Sequence, residues 1–177
     1  MKLLLDMDGV LADFDAGVFR DIPNVDWPQE AYDRHQRWCT DYLPRSQRRT
    51  VRRHIEETHF FRHLPVIPGA VDGVCELMAR GHDVWVCTKP LEANPWCAND
   101  KMAWIDEHFP ILHGRVIIAP RKSMIHGDLL LDDCHKDADL EECSYLPVWY
   151  SYPHNDYGSP RFTWDDPVTL LEDYLNA

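Results

Sequence analysis

The chain has 177 residues, 45% of them apolar, with a formal net charge of −12 and an isoelectric point near 5.1. That length suits one domain of ordinary size, or a core with a small insertion, and the apolar share is enough to bury a core. The acidic balance argues against a nucleic-acid polymer or an anionic membrane surface as partner, since both need clustered positive charge, and an anionic ligand would depend on local cations or a metal.

The first element is the run Leu3, Leu4 and Leu5, continuous rather than alternating, which suits a strand buried on both faces of a parallel sheet. It delivers Asp6 and Asp8 to the point where Gly9 breaks the strand. In open parallel sheets the ligand site lies beyond the carboxyl ends of the strands, so the pair sits where chemistry is expected. An Asp-x-Asp tripeptide alone also occurs in surface turns; its place after a buried strand gives it weight. The apolar run ends after three leucines, so no signal peptide is expected, and no stretch reaches the roughly 20 residues of a spanning helix. The expectation is a cytoplasmic protein. Its six cysteines lack any Cys-x-x-Cys spacing and read as reduced, packed thiols.

From residue 15 to 65 the chain turns polar and aromatic, with helical segments expected around 27–42 and 46–61 and no strand-like run. This predicts a small helical cap, residues 15–65, inserted into a core made of residues 1–14 and 66–177. Within it Arg45, Arg48, Arg49, Arg52 and Arg53 recur at helical spacing and share one face. That face either attracts a phosphorylated substrate or, the plainer reading, is solvated and pairs with an acidic surface.

Residues 69–81 then read as a helix closed by Gly81, and Asp83-Val-Trp-Val-Cys-Thr88 as a second buried strand ending in a hydroxyl. Asn94-Pro95 can start a helix carrying Lys101, Met102, Trp104, Ile105 and Phe109. Short strands follow at 115–119, 128–133 and 148–152, and a helix with Leu170, Leu171, Tyr174 and Leu175 closes the chain. Asp132 and Asp133 end an all-leucine run, where adjacent carboxylates are better explained by a shared cation than by an exposed turn. Alternating strands and helices imply an α/β fold, a three-layer sandwich around a parallel sheet. Carboxylates and backbone oxygen at its edge would make a hard oxygen site suited to Mg²⁺ rather than zinc.

Asp6-Met-Asp-Gly-Val-Leu11 after a buried strand, Thr88 at a strand end, Lys101, and Asp132-Asp133 resemble, in that order, the four motifs of the haloacid dehalogenase superfamily of phosphohydrolases. The resemblance implies a Rossmann-like core and an aspartyl-phosphate mechanism: Asp6 the nucleophile, Asp8 the acid and base, and Thr88, Lys89 and Lys101 the phosphate binders, with Lys122 the rival of Lys101. It further implies Mg²⁺ held by Asp6, Asp133 and the Asp8 carbonyl, with Asp132 orienting that shell. Phe60-Phe61 before Pro68-Gly-Ala70, Cys87-Thr-Lys-Pro90, Asp100-Lys-Met-Ala-Trp104 and His154-Asn155 look like the 5'(3')-deoxyribonucleotidase family. That resemblance implies deoxynucleoside monophosphates as small-molecule substrates, with Phe14 and Trp38 contacting the base, and allows a homodimer. Lys89 stands where that family usually has a small hydroxyl residue. Another small phosphoester as substrate, or a non-catalytic nucleotide-binding protein of the same fold, are the alternatives.

Overall fold

The computed structural model describes residues 1–22, 25–28, 39–135, 140–152, 155 and 158–177. Its centre is a six-stranded, wholly parallel sheet in the order β3-β2-β1-β4-β5-β6. The strands are β1 (Lys2–Leu5), β2 (Asp83–Thr88), β3 (Val116–Ile118), β4 (Leu129–Asp132), β5 (Leu146–Tyr150) and β6 (Arg161–Phe162). The helices are α1 (Phe14–Asp21), α2 (Arg45–Glu57), α3 (Ala70–Ala79), α4 (Cys97–His108) and α5 (Thr169–Asn176).

β1 lies in the middle of the sheet because its leucines have apolar partners on both faces. Leu3 and Leu5 enter the main core with Val84, Val86, Leu129 and Leu131, while Leu4 turns to the opposite face with Cys87 and Leu130. All three are at most 1% exposed. The register pairs Leu5 with Val86 on one side and with Leu131 on the other. Asp6, one residue on, donates its backbone N–H to the Leu131 carbonyl at 2.9 Å, so Asp6 and Asp132 leave the sheet at one level.

After β1 the chain makes a tight loop in which Leu11 and Ala12 N–H groups both return to the Met7 carbonyl, at 2.9 and 2.8 Å. Ala12 then pairs antiparallel with Val66, Asp13 N–H donates to Pro65 at 2.8 Å, and Ile67 N–H donates to Leu11 at 2.8 Å. The chain thus leaves the sheet and returns to it through one narrow neck. Asp13 caps α1 by accepting from the Ala16 N–H at 2.9 Å, which fixes the turn into that helix.

Two expectations shift. Of the helix anticipated at 27–42, residues 29–38 and Trp38 with them lie outside the described residues; positions 27 and 28 are not helical, and Cys39–Tyr42 forms only a single tight turn. The sixth strand, Arg161–Phe162, was not anticipated, because two residues are too short to carry a periodicity. β5 also begins earlier than read, since Pro147 falls inside it. The Leu146 N–H points to β4, so position 147 points the other way, where β6 has not yet begun, and no ladder bond is lost there.

Candidate active site

Four elements bring the predicted residues to one edge of the sheet. β1 supplies Asp6 and, one loop residue later, Asp8; β2 ends in Thr88, β4 in Asp132 followed by Asp133, and α4 reaches back with Lys101. They line one cavity of about 990 Å³, together with Phe14, Phe61 and Lys89. The size lies near the upper end for small-molecule sites, which run to about 1,000 Å³.

Lys101 is 1% exposed and its ammonium is fully used. It donates to Asp8 Oδ2 at 2.6 Å, to Thr88 Oγ1 at 2.9 Å and to the Lys89 carbonyl at 2.7 Å. An ammonium has three donors, so each is engaged. α4 is held in place to do this. Trp104 Nε1 donates to the Leu64 carbonyl at 2.8 Å, Asp100 pairs with His59 Nδ1 at 2.9 Å, and Asn94 donates to the Ile55 and Thr58 carbonyls.

Lys122, the rival candidate, is equally buried at 4% exposure and equally central. Its Nζ lies 2.8 Å from Asp6 Oδ2 and donates to Asp132 Oδ2 at 2.6 Å. The two lysines therefore do not compete for one position: Lys101 attends Asp8 and Thr88, and Lys122 attends Asp6 and Asp132. Sequence order alone favours Lys101, and the signal that finds Lys122 is topological. β3 runs parallel beside β2, Ala119 N–H donates to the Thr88 carbonyl at 3.0 Å, and the chain then crosses the carboxyl edge carrying Lys122.

The acids are crowded. Asp6, Asp132 and Asp133 are all buried and offer carboxylate oxygens within 4.8 Å of one another. Burial pushes Asp6 up to about 6, against the pull of Lys122 and with the help of Asp132. Burial, then Asp132 and Asp6, hold Asp133 well above the usual carboxylate range. Asp132 goes the other way: burial would raise it, but Lys122, His135 and the Cys134 N–H together keep it low. Lys122 is likewise penalised by burial, yet its two carboxylate partners hold its proton more tightly than usual. Gly9 is part of this packing, because at its φ of +76° an added Cβ would sit 2.4 Å from Asp133 Oδ2.

An oxygen-only set of buried carboxylates, two of which, Asp6 and Asp133, have proton affinities raised by burial and by their acidic neighbours, fits a hard divalent cation. Asp132 has less to offer it than Asp6 or Asp133, for its Oδ2 accepts from Lys122 and its Oδ1 from the Cys134 N–H at 3.0 Å. Asn155, quoted in the sequence only as part of a motif, acts from behind. It is 2% exposed, donates to the carbonyls of Asp133 and Tyr150, and is itself bound by Arg161.

Phe14 meets Phe60 edge-on with ring centres 5.2 Å apart, and Phe61 carries the Lys101 ammonium 5.0 Å above its ring. The aromatic wall therefore includes Phe61, which sequence reasoning treats only as a motif residue. Lys89 contributes its carbonyl to Lys101 and lines the cavity.

A parallel sheet with these groups gathered at its carboxyl edge defines a haloacid dehalogenase-like phosphoric monoester hydrolase. A haloacid dehalogenase-like family hydrolase from Xanthomonas campestris shares the fold with a TM-score of 0.52 at 12% identity, covering 98% of this chain and 91% of the other. Residues 1–166 match the family model described as 5' nucleotidase, deoxy (pyrimidine), cytosolic type C protein, and the chain belongs to that family. It is 36% identical over 167 residues to the human "5'(3')-deoxyribonucleotidase, cytosolic type", covering 88% of this chain and 82% of that protein. It is 34% identical over 161 residues to the Mus musculus "5'(3')-deoxyribonucleotidase, mitochondrial", covering 84% and 70% respectively.

Proposed function

We propose that this protein hydrolyses deoxynucleoside monophosphates through an aspartyl-phosphate on Asp6. The observation that carries the reading is that Asp6 and Asp8, two residues apart on one loop, are each held by a separate buried lysine. In the first step an Asp6 oxygen forms a bond to phosphorus while the bond to the nucleoside oxygen breaks, and Asp8 gives that oxygen its proton. Asp8 Oδ1 is buried without a hydrogen-bond partner among the described residues, which suits it to hold that proton while Oδ2 stays on Lys101. In the second step Asp8 takes a proton from water, the water oxygen bonds to phosphorus, and Asp6 is released with phosphate.

Lys122 has two donors engaged by carboxylates among the described residues, and its third supports a role in holding a phosphoryl oxygen beside Asp6. Lys101 donates to both Asp8 and Thr88, which supports assigning Thr88 to the phosphoryl group. Asp6 and Asp133, with the Asp8 carbonyl, are the residues we assign to Mg²⁺, and Asp132 to orienting them. A bound Mg²⁺ supplies charge neutralisation at the phosphoryl oxygens.

The neck formed by Leu11, Ala12 and Asp13 with Ile67, Val66 and Pro65 supports reading residues 15–65 as a cap over the edge. Phe14 and Phe61 would stack on a flat base, with Trp38 assigned to its other face. Stacking of this kind is worth about 1–3 kcal/mol, so Phe14→Ala should weaken nucleotide turnover about ten- to hundredfold and spare p-nitrophenyl phosphate. No helix of the described residues is long and apolar enough to cross a membrane; the resemblance to the cytosolic-type relative supports a cytoplasmic location.

The test is phosphate release, with Mg²⁺, from a panel of ribo- and deoxyribonucleoside monophosphates and p-nitrophenyl phosphate. Faster turnover of dUMP and dTMP than of UMP is expected, because a ribose hydroxyl buried without a partner costs about 1–3 kcal/mol. Turnover of p-nitrophenyl phosphate with none of any nucleotide would refute the nucleotide reading.

A further inference from the structure

We propose that the cavity carries a second anion subsite, formed by Arg45 and Arg49 of α2, so that ligands bearing a second phosphoryl group bind there more tightly than the matching monophosphates. The inference rests on the phosphatase reading of the carboxyl edge, and it names what the opposite wall selects.

Four arginines of α2 line the same cavity as Asp6 and Asp8: Arg45, Arg48, Arg49 and Arg52. Two of them are occupied. Arg48 donates to the Leu43 carbonyl at 2.7 Å and the Asp41 carbonyl at 2.9 Å, which tucks it against the preceding turn. Arg52 pairs with Glu56 at 2.6 Å. Arg45 and Arg49 have no ion-pair or hydrogen-bond partner among the described residues. Of the four arginines that line the cavity, Arg48 and Arg52 are thus paired, as is Arg53 on the same helix, and Arg45 and Arg49 are left to meet a ligand.

Their placement is costly without a ligand. Residues four apart stand one above the other on a helix, and like charges there repel by a few tenths of a kcal/mol. Arg45 opens α2, at the end of a helix where the dipole already disfavours a cation. A phosphate between the two guanidinium groups would remove both penalties, since the planar fork matches phosphate oxygens.

The catalytic floor balances its own carboxylates without these charges. Its four carboxylates, Asp6, Asp8, Asp132 and Asp133, face Lys101 and Lys122, and a divalent cation makes the count even. The reacting phosphoryl group has Lys122, Thr88 and Lys89 near it. A cavity of about 990 Å³ leaves room between floor and wall for a substrate with an anion at each end.

The experiment measures initial rates of p-nitrophenyl phosphate turnover, with Mg²⁺ at low salt, against two matched pairs of competitors. One pair is dTMP and thymidine 3',5'-bisphosphate; the other is fructose 6-phosphate and fructose 1,6-bisphosphate. In the unaltered protein a bisphosphate should inhibit at a concentration at least tenfold lower than its monophosphate. In the Arg45→Gln, Arg49→Gln double variant the ratio should fall below threefold, and in Arg53→Gln, whose partner is Glu57, it should persist. Melting by circular dichroism checks that both variants fold. Ratios below threefold in the unaltered protein for both pairs, or a preference that survives the double variant, would overturn the subsite. A preference in the sugar pair alone, with no nucleotide turned over, would uphold the subsite and refute the nucleotide reading. Nucleotide turnover with no bisphosphate preference would do the reverse.

Discussion

The floor and the α2 wall of the cavity use cations in opposite ways. On the floor, Lys101 and Lys122 are buried, each fixed by at least two short contacts, and each answers a particular carboxylate. On the wall, the arginines are exposed on long side chains, and Arg45 and Arg49 have no partner among the described residues. Buried pairs are costly to break and hold reacting groups in one geometry, whereas exposed cations can meet different anions at little cost to the fold. On the proposed reading, fixed chemistry and adjustable selection belong to separate elements of one site.

The sharpest way to break the comparison is at the floor. Asp8→Asn should lower the rate by about 10²- to 10⁴-fold through lost proton transfer, and circular dichroism checks that the variant, which also loses the ion pair with Lys101, still folds. A loss under tenfold would mean that another group moves the proton. Lys122→Met should cost about 3–5 kcal/mol of stability, because it leaves Asp6 and Asp132 buried without their cation. Denaturant unfolding of the metal-free protein measures it, and a change below 1 kcal/mol would show that the pair does not hold the edge together.

The floor should also show itself in the pH dependence of stability. An ordinary Asp titrates at 3.8, and in the metal-free fold Asp6 rises to about 6. Between those values the folded state binds a proton that the unfolded chain has released, so stability is greater below this window and is lost as pH climbs through it. Asp6→Asn should flatten the melting profile over that range. An unchanged slope would place the titrating group elsewhere. The smallest effect belongs to the wall: Arg53→Ala, which removes a 3.9 Å exposed pair with Glu57, should change stability by under about 0.5 kcal/mol.

The core of this fold was readable from the sequence because its signals are local. Three consecutive leucines before Asp6, and three more before Asp132, mark strands buried on both faces, and the acids that follow them fall at the sheet edge. Thr88 and Lys101 were found by order along the chain. What escaped was set by tertiary geometry. Lys122 gains its role from the crossing after β3, Asn155 from its reach to the back of Asp133, and Phe61 from the approach of α4. The arginine face was visible as a spacing, but only the cavity separates Arg45 and Arg49 from their paired neighbours.

The central claim is that Asp6 carries the phosphoryl group in transit. The direct measurement is to quench the protein during turnover of dTMP with Mg²⁺, reduce it with borohydride, and locate the modified residue by peptide mass spectrometry. An aspartyl-phosphate is reduced to homoserine, and the account predicts homoserine at position 6 alone, absent without substrate. Homoserine at position 8, or none during demonstrated turnover, would contradict it.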